Sequence, residues 1–326
     1  MAAKAKRRTV LVTGGSGRLG HALISQLISE GASVRALIRD NGRIVSMPSR
    51  AELFVGDICD HTVLRDAFRG VDTVYHLAAA VSQDKFSRRE LMRVNVKGTK
   101  RVISEAEHSG AGHIIFSSSV DVYGNRRTDV LNEESALRPS DMYGYSKVLA
   151  EQSLRNDCSV NYTIMRIAAI YGSGFGEYFF KVFNAIKRGK LPIIGNGKNK
   201  LSLVHVDDVV DAFSAAGKNP KGVNNIFNLS DGKEYTQEYL FRLTASLLHT
   251  PAPKRHMNAF AAAALARLAR ADADEFRFIT SNRIIDISKI RNELKFKPAV
   301  NIREGGRKLV KEFVDYQNSK DFLPDM

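Results

Sequence analysis

The sequence predicts an α/β protein, a doubly wound parallel sheet carrying a smaller C-terminal lobe. Three observations lead there. Short β-rich runs alternate with amphipathic stretches through the first half of the chain, the rhythm that crossover connections turn into a parallel sheet. The runs VLV, VYHLA, IIF and TIMRI are almost continuously apolar, as strands covered on both faces must be. A glycine-rich loop, Thr13 to Gly20, stands between the first of those runs and the first amphipathic stretch.

Thr9 to Thr13 reads as the opening strand and Leu19 to Glu30 as the first helix. Val34 to Ile38 and Leu53 to Val55 follow as strands, Val63 to Phe68 as a helix, and Val74 to Ala78 as a strand. Glu90 to Glu107 is expected to be helical, Ile114 to Ser118 a strand, Tyr143 to Leu154 a helix, and Tyr162 to Ile170 a strand. Right-handed crossovers join these strands into one sheet. Past Tyr171 the pattern loosens, with glycine and asparagine clustered at Gly172 to Gly176 and at Gly195-Asn196-Gly197. Helices are expected there at Val206 to Ala216 and Tyr239 to Leu248, with a strand at Ile226 to Leu229. Residues 1–171 therefore form the sheet domain, to which the chain returns around 201–217. Residues 172–200 and 218–326 mainly form a lobe over the carboxyl ends of the strands, where open α/β sheets bind ligands.

With 326 residues, 44% apolar and 26% charged, the chain has the composition of a soluble globular protein. Cys59 and Cys158 stand apart without paired spacing, so neither a disulfide framework nor a metal site is expected, and a reducing cytoplasm suits the chain. No apolar run reaches the roughly 18 residues that would span a bilayer. The basic N-terminus lacks a signal-peptide core, because Val10-Leu11-Val12 stops at Thr13-Gly14. Neither secretion nor stable membrane insertion is expected. Met257 to Leu268 is the richest apolar segment and reads as a core or pocket-lining helix, with contact to a membrane or an apolar substrate as the alternative. Lysine and arginine outnumber aspartate and glutamate by 49 to 35, a net charge of +14 that raises the field felt by a phosphate-bearing ligand. The basic residues are scattered apart from Lys4 to Arg8, and no nucleic-acid motif accompanies them, so no nucleic-acid partner is expected.

Thr13-Gly14-Gly15-Ser16-Gly17-Arg18-Leu19-Gly20 follows a predicted strand and opens a predicted helix, the context that separates a dinucleotide loop from a chance run of glycines. Glycines permit the tight turn and the approach of backbone to a pyrophosphate, and the helix N-terminus supplies N–H donors. Such a loop in a Rossmann-type sheet makes Gly14, Ser16, Gly17, Arg18, Leu19 and Gly20 candidate cofactor contacts. At the end of the second strand, where a carboxylate usually holds ribose hydroxyls, stands Arg39, with Asp40 after it. Arg39 and Arg18 together suit a 2′-phosphate and favour NADP, while Asp40 leaves NAD open. Gly56-Asp57-Ile58 ends the third strand at the adenine edge. Leu77-Ala78-Ala79 ends the fourth with small residues beside the ribose and pyrophosphate.

Tyr143-Gly144-Tyr145-Ser146-Lys147 carries the chemistry. On a helix, Tyr143 and Lys147 sit at i and i+4 and share a face. Ammonium and phenolate about 4 Å apart at an effective dielectric of about 20 attract by roughly 4 kcal/mol. That is roughly three pKa units, enough to bring a phenol towards neutrality. A hydroxyl from Ser117-Ser118-Ser119, at the end of the fifth strand, would hold the substrate oxygen while Tyr143 trades its proton. The same spacing recurs on solvated helices, so its meaning depends on the glycine loop at the other end of the chain.

Taken in order, TGGSGRLG, GDICD, HLAAA, Asn95-Val96-Lys97-Gly98-Thr99, IIFSSSVDVYG, YGYSK and LVHVDDV resemble the extended short-chain dehydrogenase/reductases, the NAD-dependent epimerase/dehydratase family, over nearly the whole chain. The resemblance implies Ser119 as the hydrogen bonder to the substrate oxygen, with Ser118 as the alternative. It implies Tyr143 as acid/base, and Lys147 as the residue that lowers its pKa and holds the nicotinamide ribose. It places Gly14, Gly17 and Gly20 at the pyrophosphate, Arg39 and Asp57 at the adenosine end, and Asn95 near the nicotinamide ribose. It also implies a homodimer pairing Arg88 to His108 and Ser140 to Arg155. Three departures bear on the substrate: Ala169 stands where sugar-nucleotide epimerases carry asparagine, Ile167 where many reductases carry proline, and Lys200 where an arginine meets nucleotide phosphate. His205 is expected to be a packed core histidine and Asp207 an N-cap. The leading expectation is an NAD(P)-dependent oxidoreductase acting on a small-molecule secondary alcohol or ketone. The alternatives are a nucleotide-sugar 4-epimerase or dehydratase that retains NAD, and a cofactor-sensing scaffold, to which a retained Ser119, Tyr143 and Lys147 would be superfluous.

Overall fold

The computed structural model describes residues 7–39, 47–81, 86–268 and 273–321. Seven parallel strands form the central sheet: β1 (Thr9–Thr13), β2 (Ser33–Ile38), β3 (Glu52–Val55), β4 (Thr73–His76), β5 (His113–Ser119), β6 (Asn161–Ile167) and β7 (Asn225–Leu229). Their order is β7-β6-β5-β4-β1-β2-β3, so the chain reverses direction across the sheet between β1 and β4. A crevice opens at the carboxyl ends of such a switch point. Val10 pairs with Val34 on one side and Thr73 on the other. The predicted strand from Tyr162 to Ile170 divides in two. β6 stops at Ile167, the Ala168 N–H bonds the Leu229 carbonyl at 2.9 Å, and Ala169–Tyr171 leaves to pair with Leu203–His205.

The helices in chain order are α1 (Arg18–Ser29), α2 (His61–Phe68), α3 (Arg88 to Ser109), α4 (Met142–Asn156), α5 (Gly176–Lys187), α6 (Val206–Lys218), α7 (Gln237–Leu247), α8 (Ala259–Leu268), α9 (Ala273–Ile279), α10 (Ser288–Glu293) and α11 (Ile302–Asp321). Leu23, Ile24 and Leu27 of α1 join Val209 and Phe213 of α6 on one face of the sheet, against Val10 and Val12. Leu64, Phe68, Val102, Ala150 and Leu154 cover the other face, against Leu11, Val74 and Ile114. That double cover explains the apolar strand runs. The lobe has its own core, in which Phe183, Leu243, Leu309 and Phe313 meet.

Two expectations change here. Helix α6 is capped by His205, whose ring accepts the Asp207 N–H at 3.2 Å, while the Asp207 side chain is exposed. The hydroxyl or carboxylate usual at that position is replaced because His205 is held by the short ribbon beside Tyr171. Helix α8 is not a core helix: only Ala262 is buried, and its largest apolar side chains face outward. Asp40 and Lys4 to Lys6 lie outside the described residues.

Candidate active site

Across the carboxyl edge of the sheet, Asp57 follows β3, Arg39 follows β2, Gly14 follows β1, Ala78 follows β4 and Ser119 ends β5. Strands about 4.8 Å apart put Asp57 and Ser119 about 19 Å from each other, the reach of an extended dinucleotide. A groove of about 180 Å³ occupies the first part of that edge, walled by Gly14, Ser16, Gly17, Arg39, Asp57, Ile58, Leu77, Ala78 and Ala79. Gly14 has φ +72°, and a Cβ there would lie 2.8 Å from the Ala78 nitrogen. A Cβ on Gly20 would collide with the Gly14 carbonyl. The turn therefore brings backbone, without side chains, to the groove floor and seats the start of α1 against it, as a pyrophosphate site needs. Leu19 packs into the core instead of lining the groove.

Two cofactor candidates are placed otherwise than expected. Arg18 is not part of the groove wall, and its guanidinium carbon lies 6.0 Å from the centroid of the Phe175 ring. Asn95 is buried, and both of its amide hydrogens are spent. It donates to the Ala80 carbonyl and the Ser146 hydroxyl, each at 2.9 Å, and accepts the Ala80 N–H at 2.7 Å. It acts as a clamp between the groove floor and α4. A π-helical stretch of α3, Met92–Gly98, makes the placement possible. Asp57 is held below the usual carboxylate range by a two-pronged ion pair with Arg93, both contacts 3.0 Å.

Beyond Ala78 stand the catalytic candidates. Asp141 caps α4 by accepting the Gly144 N–H at 2.7 Å, which starts the helix one residue before Tyr143. Tyr143 and Lys147 then share the face towards β5. Lys147 donates to the Ser117 carbonyl at 2.8 Å, and its nitrogen lies 4.8 Å from the Phe116 ring centroid and 5.7 Å from that of Tyr143. Ser119 faces the phenol. Its hydroxyl donates to Asp121 Oδ2 at 2.9 Å and accepts the Asp121 N–H at 3.1 Å. Ser118 points the other way and donates to Glu151 Oε1 at 2.5 Å, so Ser119 is the serine that faces Tyr143.

The electrostatics differ from the expected simple phenol–ammonium pair. Burial, then the carboxylates of Asp121 and Asp141, push the Tyr143 phenol up, and Ser119 only partly offsets them. Lys147 is too weak a counter-charge to reverse this, since burial pulls its own pKa down to about 7 against the opposing charge of Glu151. His76, under the cluster, hydrogen-bonds Thr13 at 2.8 Å and Thr99 at 2.9 Å and is kept neutral by burial, with a pKa lowered to about 3.

Sequence reasoning missed four further residues. Arg283 grips Asp121 Oδ1 at 2.6 Å, and Arg277 grips Asp141 Oδ2 at 2.6 Å. Both arginines come from the C-terminal lobe, so the lobe is fastened to the two carboxylates that flank the phenol. Burial opposes ionisation of Asp121, but Arg283 brings it below the usual carboxylate range. Replacing Asp121 by Asn should therefore lower the phenol pKa and move the matching limb of the pH–rate profile to lower pH. An unmoved limb would remove Asp121 from the electrostatics of the site.

A separate apolar cavity of about 70 Å³ lies inside the lobe among Phe183, Leu243, Ile302 and Leu309, and none of the catalytic candidates lines it.

The profile of the NAD dependent epimerase/dehydratase family matches residues 10–230. UDP-glucose 4-epimerase of Vibrio cholerae is 27% identical over 327 residues, covering 95% of this chain and 97% of that protein. Human sterol-4-alpha-carboxylate 3-dehydrogenase, decarboxylating, is 32% identical over 225 residues, covering 66% of this chain and 58% of that protein. The crystal structure of UDP-glucose 4-epimerase from Thermotoga maritima with UDP-glucose shares the fold, with a TM-score of 0.78 at 24% identity over 95% of this chain and 99% of that one. The match over residues 10–230, more than half the chain, makes this protein a member of the NAD dependent epimerase/dehydratase family of enzymes.

Proposed function

We propose that the protein moves hydride between a nicotinamide dinucleotide and a secondary alcohol or ketone, with Tyr143 as the acid/base. The observation that carries this reading is the convergence of Ser119, Tyr143 and Lys147 at the open end of the glycine-turn groove. When bound, the dinucleotide supplies the hydride donor or acceptor and, in its oxidised form, a positive charge. Tyr143 gives its proton to the substrate oxygen in reduction and takes it back in oxidation. Ser119 holds the same oxygen. Lys147 holds ribose hydroxyls, with a pKa that burial brings down to about 7.

Arg39 reads the 2′ position and favours NADP. Charge-assisted hydrogen bonds of this kind make Arg39→Ala about 10-fold to 100-fold weaker for NADPH, with NADH little changed. Fluorescence titration of both reduced cofactors checks this, and equal loss for both would remove the argument.

The end-to-end match with a UDP-glucose 4-epimerase supports a second reading, epimerisation of a sugar nucleotide with retained NAD. The first is favoured because cations that could meet a diphosphate already have carboxylate partners. Lys200 pairs with Glu234 at 3.2 Å, and Arg277 and Arg283 pair with Asp141 and Asp121. The discriminating experiment is thermal unfolding with UDP-glucose, together with cofactor analysis of the purified protein. Retained NAD and a raised Tm would favour the epimerase. Cofactor-dependent oxidation of a simple secondary alcohol, with no shift from UDP-glucose, supports the oxidoreductase.

A further inference from the structure

Helix α8 turns its large apolar side chains to solvent: Phe260 is 88% exposed, Leu268 82% and Leu265 52%. Phe260, Ala264 and Leu268 recur at four-residue intervals with Ala261 and Leu265 beside them, so a single face carries the whole stripe. The opposite face is anchored. Ala262 is buried in a cluster with Phe241, Ala245 and Ile279, and the preceding strand His256–Met257 pairs with Ile193–Ile194. The stripe therefore stands on a fixed platform.

Its surroundings are cationic. Lys254, Arg255 and Arg267 are exposed, and from Tyr239 to Ala271 the chain has no aspartate or glutamate. An exposed apolar face rimmed by Lys254, Arg255 and Arg267, with acidic residues appearing only past the helix at Asp272, Asp274 and Glu275, suits the boundary of an anionic bilayer. There, Phe and Leu enter the acyl region while Lys and Arg stay among the headgroup phosphates.

We propose that α8 docks this protein peripherally on anionic lipid surfaces. Among the described residues no helix is long and apolar enough to cross a membrane, so α8 lies in the interface and does not span it. A second copy of the chain is the poorer occupant. A two-fold contact through this stripe would press its basic rim against that of the copy, in a molecule of net charge +14. The docked face adjoins the reaction site, because α9 shares the α8 cluster through Ile279 and carries the Arg277 that grips Asp141 at the start of α4. The proposal is independent of the substrate.

Flotation with phosphatidylcholine vesicles, with and without phosphatidylglycerol, tests it on the full chain. The wild type should float with the anionic vesicles only, and high salt should weaken the binding. Phe260→Ser with Leu268→Ser should lower partitioning by about tenfold or more. Arg255→Gln and Arg267→Gln should lower it by about fivefold each. Because these side chains are exposed, the variants should keep the wild-type Tm and dinucleotide binding. Wild-type flotation by the Phe260/Leu268 variant, or no binding of the wild type to anionic vesicles, would overturn the proposal. So would light scattering that shows the same substitutions splitting a dimer without affecting lipid binding.

Discussion

Tyr143→Phe is expected to bind the dinucleotide as the wild type does and to lose turnover by about 10³-fold, within the range that a positioned acid/base contributes. The substitution removes one oxygen and leaves the ring between Ser119 and Lys147. No neighbour can take over. Ser119 is a far weaker acid than a phenol and is needed to hold the substrate oxygen, and Lys147 directs one hydrogen to the Ser117 carbonyl. Steady-state rates, together with titration of the reduced cofactor, separate chemistry from binding. Turnover at the wild-type rate would retire Tyr143 as the acid/base.

The largest stability effect is expected from Arg166→Met, a loss of about 3–5 kcal/mol measured by urea unfolding. Arg166 is 1% exposed, beneath the site, and its Nη2 meets Glu151 Oε2 at 2.7 Å. Its Nη1 also donates to the Tyr123 hydroxyl at 2.8 Å and the Glu133 carbonyl at 2.9 Å. Without the guanidinium, the Glu151 carboxylate stays buried with Ser118 as its remaining partner. Arg166→Met combined with Glu151→Leu should recover much of the loss, because the stranded charge leaves with its partner. The double variant carries a functional signature too. Glu151 is the charge that opposes the effect of burial on Lys147, so its removal should drop the Lys147 pKa further and shift that limb of the pH–rate profile to lower pH. Full stability in the single variant would contradict the role given to the pair.

The sheet was legible because its strands are buried on both faces, which leaves runs such as Val10-Leu11-Val12 and Ile114-Ile115-Phe116 nearly unbroken. The glycine turn and the Tyr143–Lys147 pair were legible because both act through local spacing, a tight turn before a helix and one turn along a helix. What stayed hidden depends on distant partners. Nothing near Asp121 announces that Arg283 will hold it, and the neutralising burial of Lys147 comes from packing that the i, i+4 spacing does not reveal. Asn95 could not be separated from the groove because the π-helical stretch that turns it into a clamp has no periodic signal. Helix α8 was misread for a simpler reason. A segment apolar on nearly every side looks like core, and only the fold shows that just Ala262 has a core to enter.

A crystal structure with bound nicotinamide dinucleotide tests the central claim most directly. The adenosine end should lie by Arg39 and Asp57, the pyrophosphate over Gly14 and Gly17, and the nicotinamide ring carbon so placed that a substrate carbon about 3–3.5 Å from it brings its oxygen to Tyr143 and Ser119. A dinucleotide seated elsewhere, or one whose nicotinamide points away from that phenol and hydroxyl, would contradict the account.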